Sequence, residues 1–106
     1  MVDHHIIENF LESLASEKGL SKNTIKSYKL DLIKLFEKIQ NKDFKELKKI
    51  DVEKYIRDLF DKGFERSTIL RKISSLGHFF DFLVEERLIS QNIIKQISVP
   101  KKLAKL

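Results

Sequence analysis

Side chains that could support catalysis are scarce in this 106-residue sequence. It has no cysteine, which excludes a disulfide framework and a zinc–thiolate centre. His4 and His5 are neighbours, and adjacent residues on a helix point in different directions, so they do not form a metal-binding pair. The four arginines are spread along the chain, at Arg57, Arg66, Arg71 and Arg87. Phosphoryl transfer needs cations gathered around the reacting phosphate, and the sequence has neither such a cluster nor a glycine-rich phosphate loop. The sequence therefore predicts a chain that is not itself an enzyme and has no metal or cofactor site.

Positive charge is abundant and unevenly distributed. The net charge is +5, and residues 21–50 carry nine lysines against four acidic residues. Residues 88–106 carry four lysines and no acidic residue, whereas residues 1–20 are acidic. A concentrated positive charge predicts an anionic partner. Lysine is also the main basic residue, a bias that an AT-rich coding sequence produces without any such partner.

Two polar faces carry the residue types that bind phosphates and base edges. At 100° per residue, the face opposite the apolar stripe of the second predicted helix holds Asn23, Ser27, Leu30 and Lys34, with Lys26 beside them. The same face of the fourth helix holds Ser67, Arg71, Ser74 and His78, with Ser75 nearby. Both sets begin early in their helices, where backbone N–H groups and the helix dipole favour an anion. An ordinary solvated face is the alternative interpretation.

Helical periodicity positions these faces. Four apolar stripes at helical spacing predict four helices, and only three glycines and one proline interrupt the chain. Gly19 and Gly63 are expected to end the first and third helices, and Ser21 and Asp51 to cap the second and third. A short further turn is expected around Gln91–Ile97. The predicted core consists of Phe10, Leu14, Ile25, Tyr28, Leu32, Phe36, Tyr55, Leu59, Ile69, Ile73, Leu76 and Phe80.

The chain contains an internal repeat with an offset of 44 residues. Gly19–Ile25 and Gly63–Ile69 share one pattern: glycine, an apolar residue, three polar residues, threonine and isoleucine. The register continues with two identical pairs, Leu32 with Leu76 and Phe36 with Phe80. We therefore predict an all-α fold, a four- to five-helix bundle built from two helix–turn–helix pairs. No apolar run approaches the length of a membrane span, so we expect a soluble, cytoplasmic protein without membrane contact.

These motifs resemble the N-terminal, SAM-like core-binding domain of Xer-type and phage-integrase-type tyrosine recombinases. The first half of the resemblance lies in Leu20-Ser21-x-Asn23-Thr24-x-x-x-Tyr28-x-x-Asp31-Leu32. The second half lies in Thr68-Ile69-x-Arg71-Lys72-Ile73-Ser74-Ser75-Leu76-x-x-Phe79-Phe80-x-Phe82-Leu83-Val84, followed by Leu88-Ile89-x-x-Asn92. Val99-Pro100-Lys101-Lys102 is similar to the family's connector to its catalytic domain. The likeness covers nearly the whole chain.

The resemblance implies a DNA-binding domain that clamps duplex DNA at a recombination half-site. It implies a core-binding domain over residues 1–99 and, over 100–106, the start of a linker to a catalytic tyrosine domain that this chain lacks. Double-stranded DNA and, at full length, other recombinase subunits are the implied partners, while the isolated domain is expected to be monomeric. The implied DNA contacts are Asn23, Thr24, Lys26, Ser27, Thr68, Arg71, Lys72 and Ser75.

Three positions depart from the family pattern. Gly77 stands where members usually carry a basic residue, and a glycine inside a helix suggests close packing. Arg87 stands where a helix-ending glycine is common, and Asn92 is followed by Ile93 instead of proline. A different class of function is also open, a helical protein–protein interaction domain with a solubilising lysine-rich surface. The outward-facing apolar residues Leu30 and Phe82 give that alternative some support.

Overall fold

The chain folds into helices where the apolar spacing predicts them. The computed structural model describes residues 4–40, 43–97 and 99. Its four α-helices are α1 (His4–Ser16), α2 (Lys22–Lys38), α3 (Lys49–Asp61) and α4 (Arg66–Glu85), with short 3₁₀ turns at Phe44–Glu46 and Ile93–Gln96. No strand occurs among the described residues, so the all-α prediction is confirmed. The predicted linker at 100–106 and the side chain of His4 lie outside the described residues.

The chain divides into two compact units, Met1–Glu46 and Leu47–Leu106. The first unit contains α1 and α2, and the second contains α3 and α4. This division matches the two predicted helix pairs. Within the described residues, no helix combines the length and the apolar character needed to cross a bilayer.

In the first unit, α1 packs on α2 through apolar side chains and one aromatic pair. The Phe10 and Tyr28 rings are stacked, with centroids 6.4 Å apart and planes inclined by 20°. At the edge of this contact, the Lys29 ammonium lies 3.2 Å from the Glu8 carboxylate, and both side chains are exposed. The helix pair is therefore held mainly by burial of apolar surface, since exposed ion pairs contribute little.

The start of α2 is capped as predicted. Ser21 Oγ accepts a hydrogen bond from the Thr24 backbone N–H at 3.2 Å, and the two hydroxyl oxygens lie 3.0 Å apart. The start of α3 differs from the prediction, because Lys48 and not Asp51 is the residue that precedes the helix. Asp51 lies inside the first turn, where its carboxylate accepts a hydrogen bond from the Lys48 N–H at 2.9 Å. It still satisfies a backbone donor at the helix start, from the third helical position.

The internal repeat is preserved in burial as well as in sequence. Helices α2 and α4 begin 44 residues apart, at Lys22 and Arg66. Each of the four buried residues of α2 has a buried equivalent on α4: Asp31 with Ser75, Leu32 with Leu76, Leu35 with Phe79, and Phe36 with Phe80. The outward faces derived from helical geometry therefore have the same register on both helices.

Residues in the left-handed region follow all four helices. Gly19 and Gly63 have φ values of 61° and 87°, as expected for glycines that end helices. Gln40 and Arg87 adopt the same region without being glycine, with φ values of 61° and 59°. After α4, the Leu88 N–H donates to the Leu83 carbonyl at 2.9 Å and the Arg87 N–H to the Val84 carbonyl at 3.0 Å. This pair of hydrogen bonds is the Schellman arrangement, which satisfies the last carbonyls of the helix.

The Ile93–Gln96 turn packs against the side of α4. Asn92 is buried and connects the two, because its amide nitrogen donates to the Gly77 carbonyl at 3.0 Å and to Asp81 Oδ1 at 2.9 Å. Its amide oxygen accepts from the Ile94 N–H at 2.9 Å. A methyl group placed on Gly77 would lie 3.8 Å from an Ile94 methyl carbon, an ordinary contact distance. The turn does pack against Gly77, but the space around this residue would also accept a methyl group.

Most of the predicted core is confirmed. All the predicted residues are buried except Ile25, Tyr28 and Ile73, which are half-buried. The prediction missed buried residues in the segments that lack helical periodicity, namely Phe44, Leu47 and Ile94. It also omitted Phe79, whose ring meets that of Phe80 edge-on with centroids 5.8 Å apart. The buried arc of α4 is therefore wider than the single stripe used to predict it.

Candidate nucleic-acid interface

The candidate face on α2, here called the α2 face, is exposed as predicted except at Ser27. Its exposed members are Asn23, Lys26, Leu30 and Lys34, while Thr24 and Ser27 are half-buried. Thr24 also belongs to the cap, because its backbone N–H is already bonded to Ser21. The α2 face therefore offers two lysines and short polar side chains from the first turn of the helix onward, together with one exposed leucine.

The candidate face on α4, here called the α4 face, is exposed over the first part of the helix. Ser67, Arg71, Ser74 and His78 are all exposed, and Thr68 is half-buried. Leu70 is 41% exposed on the same side of the helix, and sequence reasoning did not select it. The internal repeat could have identified Leu70 as an outward residue, since it is equivalent to Lys26, a residue assigned to the α2 face. The α4 face therefore combines an arginine and short polar side chains with one leucine.

Two of the predicted contact residues of α4 are buried instead of exposed. Lys72 is 4% exposed, and its ammonium lies 5.8 Å from the centre of the Phe64 ring, within the range of a cation–π contact. Ser75 is fully buried, and its hydroxyl donates to the Arg71 carbonyl at 3.1 Å. Its equivalent in the repeat, Asp31, is also buried. In this conformation Lys72 and Ser75 contribute to packing and present little surface to a partner.

The Ile93–Gln96 turn sets the far limit of the α4 face. Asn92 bonds to Gly77 and Asp81, which lie on the outward side of the helix about two and three turns beyond Leu70. Lys95 adds an ion pair to Asp81, with 3.1 Å between the ammonium nitrogen and Oδ1. The hydrogen bond from Asn92, followed by the hydrogen bond and charge of Lys95, lowers the pKa of Asp81 below its usual value, although partial burial opposes this. An aspartate on the outward side of α4 is thus paired within the chain, and the open part of the face lies N-terminal to it.

Each of these two faces has the chemistry of a phosphate- and base-contacting surface. Lysine and arginine neutralise phosphates, and serine and asparagine side chains bond to phosphate oxygens or to base edges. Each face starts at a helix N-terminus, where the dipole favours negative charge. Acidic groups are not wholly absent, since Glu65 precedes α4 and Glu37 lies near the end of α2, both exposed. The exposed charged residues of the faces themselves are Lys26 and Lys34 on α2 and Arg71 on α4.

Comparison with known proteins adds an independent line of evidence. Residues 7–87 match the sequence model of the family described as phage integrase, N-terminal SAM-like domain. Tyrosine recombinase XerC of Anoxybacillus flavithermus is 35% identical over 100 residues, which cover 92% of this chain and 33% of that protein. Tyrosine recombinase XerD of Oceanobacillus iheyensis is 35% identical over 106 residues, covering 96% of this chain and 36% of that protein. XerD of Proteus mirabilis is 33% identical over 98 residues, covering 91% and 31% respectively.

The chain thus spans about a third of the length of the recombinases that it matches. No solved structure is significantly similar to it. The family match runs from the first turn of α1 to Arg87, two residues after the end of α4, and so includes both candidate faces. The resemblance noted in the sequence is therefore confirmed, and the chain belongs to the phage-integrase N-terminal SAM-like domain family.

Proposed function

We propose that this chain binds duplex DNA as the N-terminal domain of a tyrosine recombinase and clamps it at a recombination half-site. The observation that carries the proposal is the exposure of cationic and hydrogen-bonding residues on the corresponding outward sides of α2 and α4, within a domain of this family. A helix presented in this way can enter the major groove, which is wide enough to admit it.

The two faces contribute different chemical groups to DNA binding. On α2, Lys26 and Lys34 act as mobile point charges for phosphates, and Asn23 offers both a donor and an acceptor to a base edge or a phosphate. On α4, Arg71 provides a planar group able to make two parallel hydrogen bonds. Thr24, Ser27 and Thr68 are half-buried and contribute shorter-range contacts. Because Lys72 and Ser75 are buried, their contribution is to the packing beneath the face.

A complete recombinase would have functions that this chain does not provide. DNA cleavage by a tyrosine nucleophile, and contacts with other recombinase subunits, belong to the remaining two thirds of the relatives' length. In this proposal the chain itself positions DNA and is not catalytic. A DNA partner also implies a cytoplasmic location.

The salt dependence of DNA binding tests the proposed function. Each lysine that neutralises a phosphate adds about 0.9 to the steepness with which log affinity falls against log salt concentration. We therefore expect weak binding at low salt that declines linearly on this scale. The double variant Lys26→Ala/Lys34→Ala should reduce the slope by about two such increments.

A matched control is the double variant Lys45→Ala/Lys54→Ala, which removes two exposed lysines outside both faces. Its slope should stay close to that of the original chain. Equal slopes for both double variants would contradict the assignment of the faces. Absence of binding at low salt would instead favour the alternative of a protein–protein interaction domain.

A further inference from the structure

Leu30 is an exposed apolar residue in the middle of the α2 face. Its side chain is 47% exposed, although leucine is usually buried. It lies four residues after Lys26 and four residues before Lys34, both of which are exposed. Side chains four residues apart on a helix are neighbours, with Cβ atoms about 5–6 Å apart. Leu30 is thus an apolar contact surface with a cation on either side along the helix.

The charges on both sides restrict what can cover this leucine. A second copy of the same face would bring four lysines together around two leucines, which like-charge repulsion opposes. Duplex DNA matches the pattern, because its major groove is bordered by phosphates and exposes the thymine 5-methyl group among its base edges. That methyl group is the one apolar substituent that the four bases present in the groove.

The equivalent position on α4 has different chemistry. Ser74 stands where α2 has Leu30. The exposed leucine of α4, Leu70, has Arg66 four residues before it but Ser74 four residues after it. The arrangement of a leucine between two lysines is therefore specific to the α2 face.

We propose that Leu30 contacts the 5-methyl group of a thymine in the major groove while Lys26 and Lys34 contact the phosphates that border it. This inference rests on the proposed function and adds a residue that selects a base. It makes A·T pairs preferred partners of the α2 face, through apolar contact instead of hydrogen bonding.

A comparison of thymine with uracil isolates this contact. The probes are an alternating adenine–thymine duplex and the same duplex with every thymine replaced by deoxyuridine, which lacks only the methyl group. The 106-residue chain should bind the thymine duplex about two- to fourfold more tightly, the range expected for covering one methyl group. The Leu30→Ala variant should bind both duplexes with equal affinity. Comparing the chain and its variant on both probes removes any effect of the methyl group on the DNA alone.

Ile50→Ala provides the matched control, because Ile50 is an exposed apolar residue (52%) in the first turn of α3, outside both faces. It should retain the preference for thymine. The inference is overturned if Leu30→Ala keeps the preference for thymine or if the original chain has no such preference. In either case, DNA binding that depends on salt would still support the proposed function. Failure to bind either duplex at low salt overturns both. If sedimentation shows a dimer that Leu30→Ala dissociates, Leu30 belongs to a self-association surface and the inference is overturned.

Discussion

Arg71 differs from the other cations of the two faces in its head group. A guanidinium is planar and can donate two parallel hydrogen bonds to a guanine edge or a phosphate, whereas a lysine ammonium is a mobile point charge. Arg71 is exposed near the start of α4, in the part of the α4 face that the Ile93–Gln96 turn leaves open. On α2, several lysines can partly replace one another. On α4, the second predicted cation, Lys72, is buried.

We therefore expect Arg71→Ala to weaken DNA binding more than removal of any single lysine. The expected cost is about 1–3 kcal/mol of binding free energy, with little change in thermal stability because the side chain is exposed. DNA affinity and melting temperature should be measured for Arg71→Ala beside Lys49→Ala, an exposed lysine on α3. Equal, small losses of affinity in the two variants would exclude this role for Arg71.

At the scale of single residues, helical geometry predicts which side chains point outward but not how loops cover the others. It selected Ser67, Arg71, Ser74 and His78 correctly as exposed. Lys72 was selected by the family resemblance and not by the helical wheel, and its spacing from Ile69 and Leu76 places it on the buried side of α4. What the wheel does not show is its contact with Phe64, which lies in the turn after Gly63 and not on the helix. A helical wheel contains no information about such a turn, so this contact could not be predicted from periodicity.

The ends of the helices depend on residues in the left-handed region. Glycine adopts it without steric cost, while for other residues it costs about 1–2 kcal/mol. Gly19 and Gly63 could be recognised in the sequence as helix ends because they are glycines. The ends at Gln40 and Arg87 carry no comparable signal, although the family pattern indicates glycine at the position of Arg87.

Replacing Arg87 with glycine should stabilise the domain. Arg87→Gly removes the cost of the left-handed conformation, and the greater flexibility of glycine in the unfolded chain cancels part of the gain. We expect the free energy of unfolding to rise by up to about 1 kcal/mol. Gly63→Ala, at φ 87°, should lower it by about 1 kcal/mol, although no atom lies within 4 Å of the added methyl group. Urea unfolding of both variants measures these changes, and a loss of stability in Arg87→Gly would contradict the argument.

At the scale of elements, local signals predicted the helices better than they predicted their partners. The Ser21 cap follows from a serine placed before an apolar stripe. The packing of the Ile93–Gln96 turn on α4 depends on hydrogen bonds from Asn92 to Gly77 and Asp81, fifteen and eleven residues away. Contacts between residues so far apart in the sequence cannot be predicted before the fold is known. For this reason the turn was predicted, while its position against the outward side of α4 was not.

The stability of the whole molecule should depend on pH through Asp81. The pKa of Asp81 is lowered in the folded state, chiefly by the hydrogen bond from Asn92 and then by Lys95. A lowered carboxyl pKa stabilises the fold above the unfolded value, about 3.9, and this contribution is lost as the pH falls through the folded value. Because Asp81 and Lys95 are partly exposed, the effect should stay below about 1 kcal/mol.

Thermal unfolding between about pH 6 and pH 2 measures this contribution. Asp81→Asn and Asn92→Ala should each be less stable than the original chain at the higher pH, and the difference should shrink as the pH falls. Asn92→Ala will keep part of the difference, since it also loses the bonds to Gly77 and Ile94. Parallel pH profiles for all three proteins would rule out a contribution from Asp81.

The inward and outward sides of the repeat differ in how closely α2 resembles α4. At several inward positions of the repeat the two helices carry the same residue, as Leu32 and Leu76 and the pair Phe36 and Phe80 illustrate, although buried Asp31 is matched by Ser75. The outward residues differ at five positions: Asn23 and Ser67, Lys26 and Leu70, Ser27 and Arg71, Leu30 and Ser74, Lys34 and His78. The half-buried pair Thr24 and Thr68 is identical. Substitutions on the outward side can therefore accumulate in one helix without disturbing the packing of either. Two helices with the same register can therefore differ in the target that each prefers, while the interior packing of both is retained.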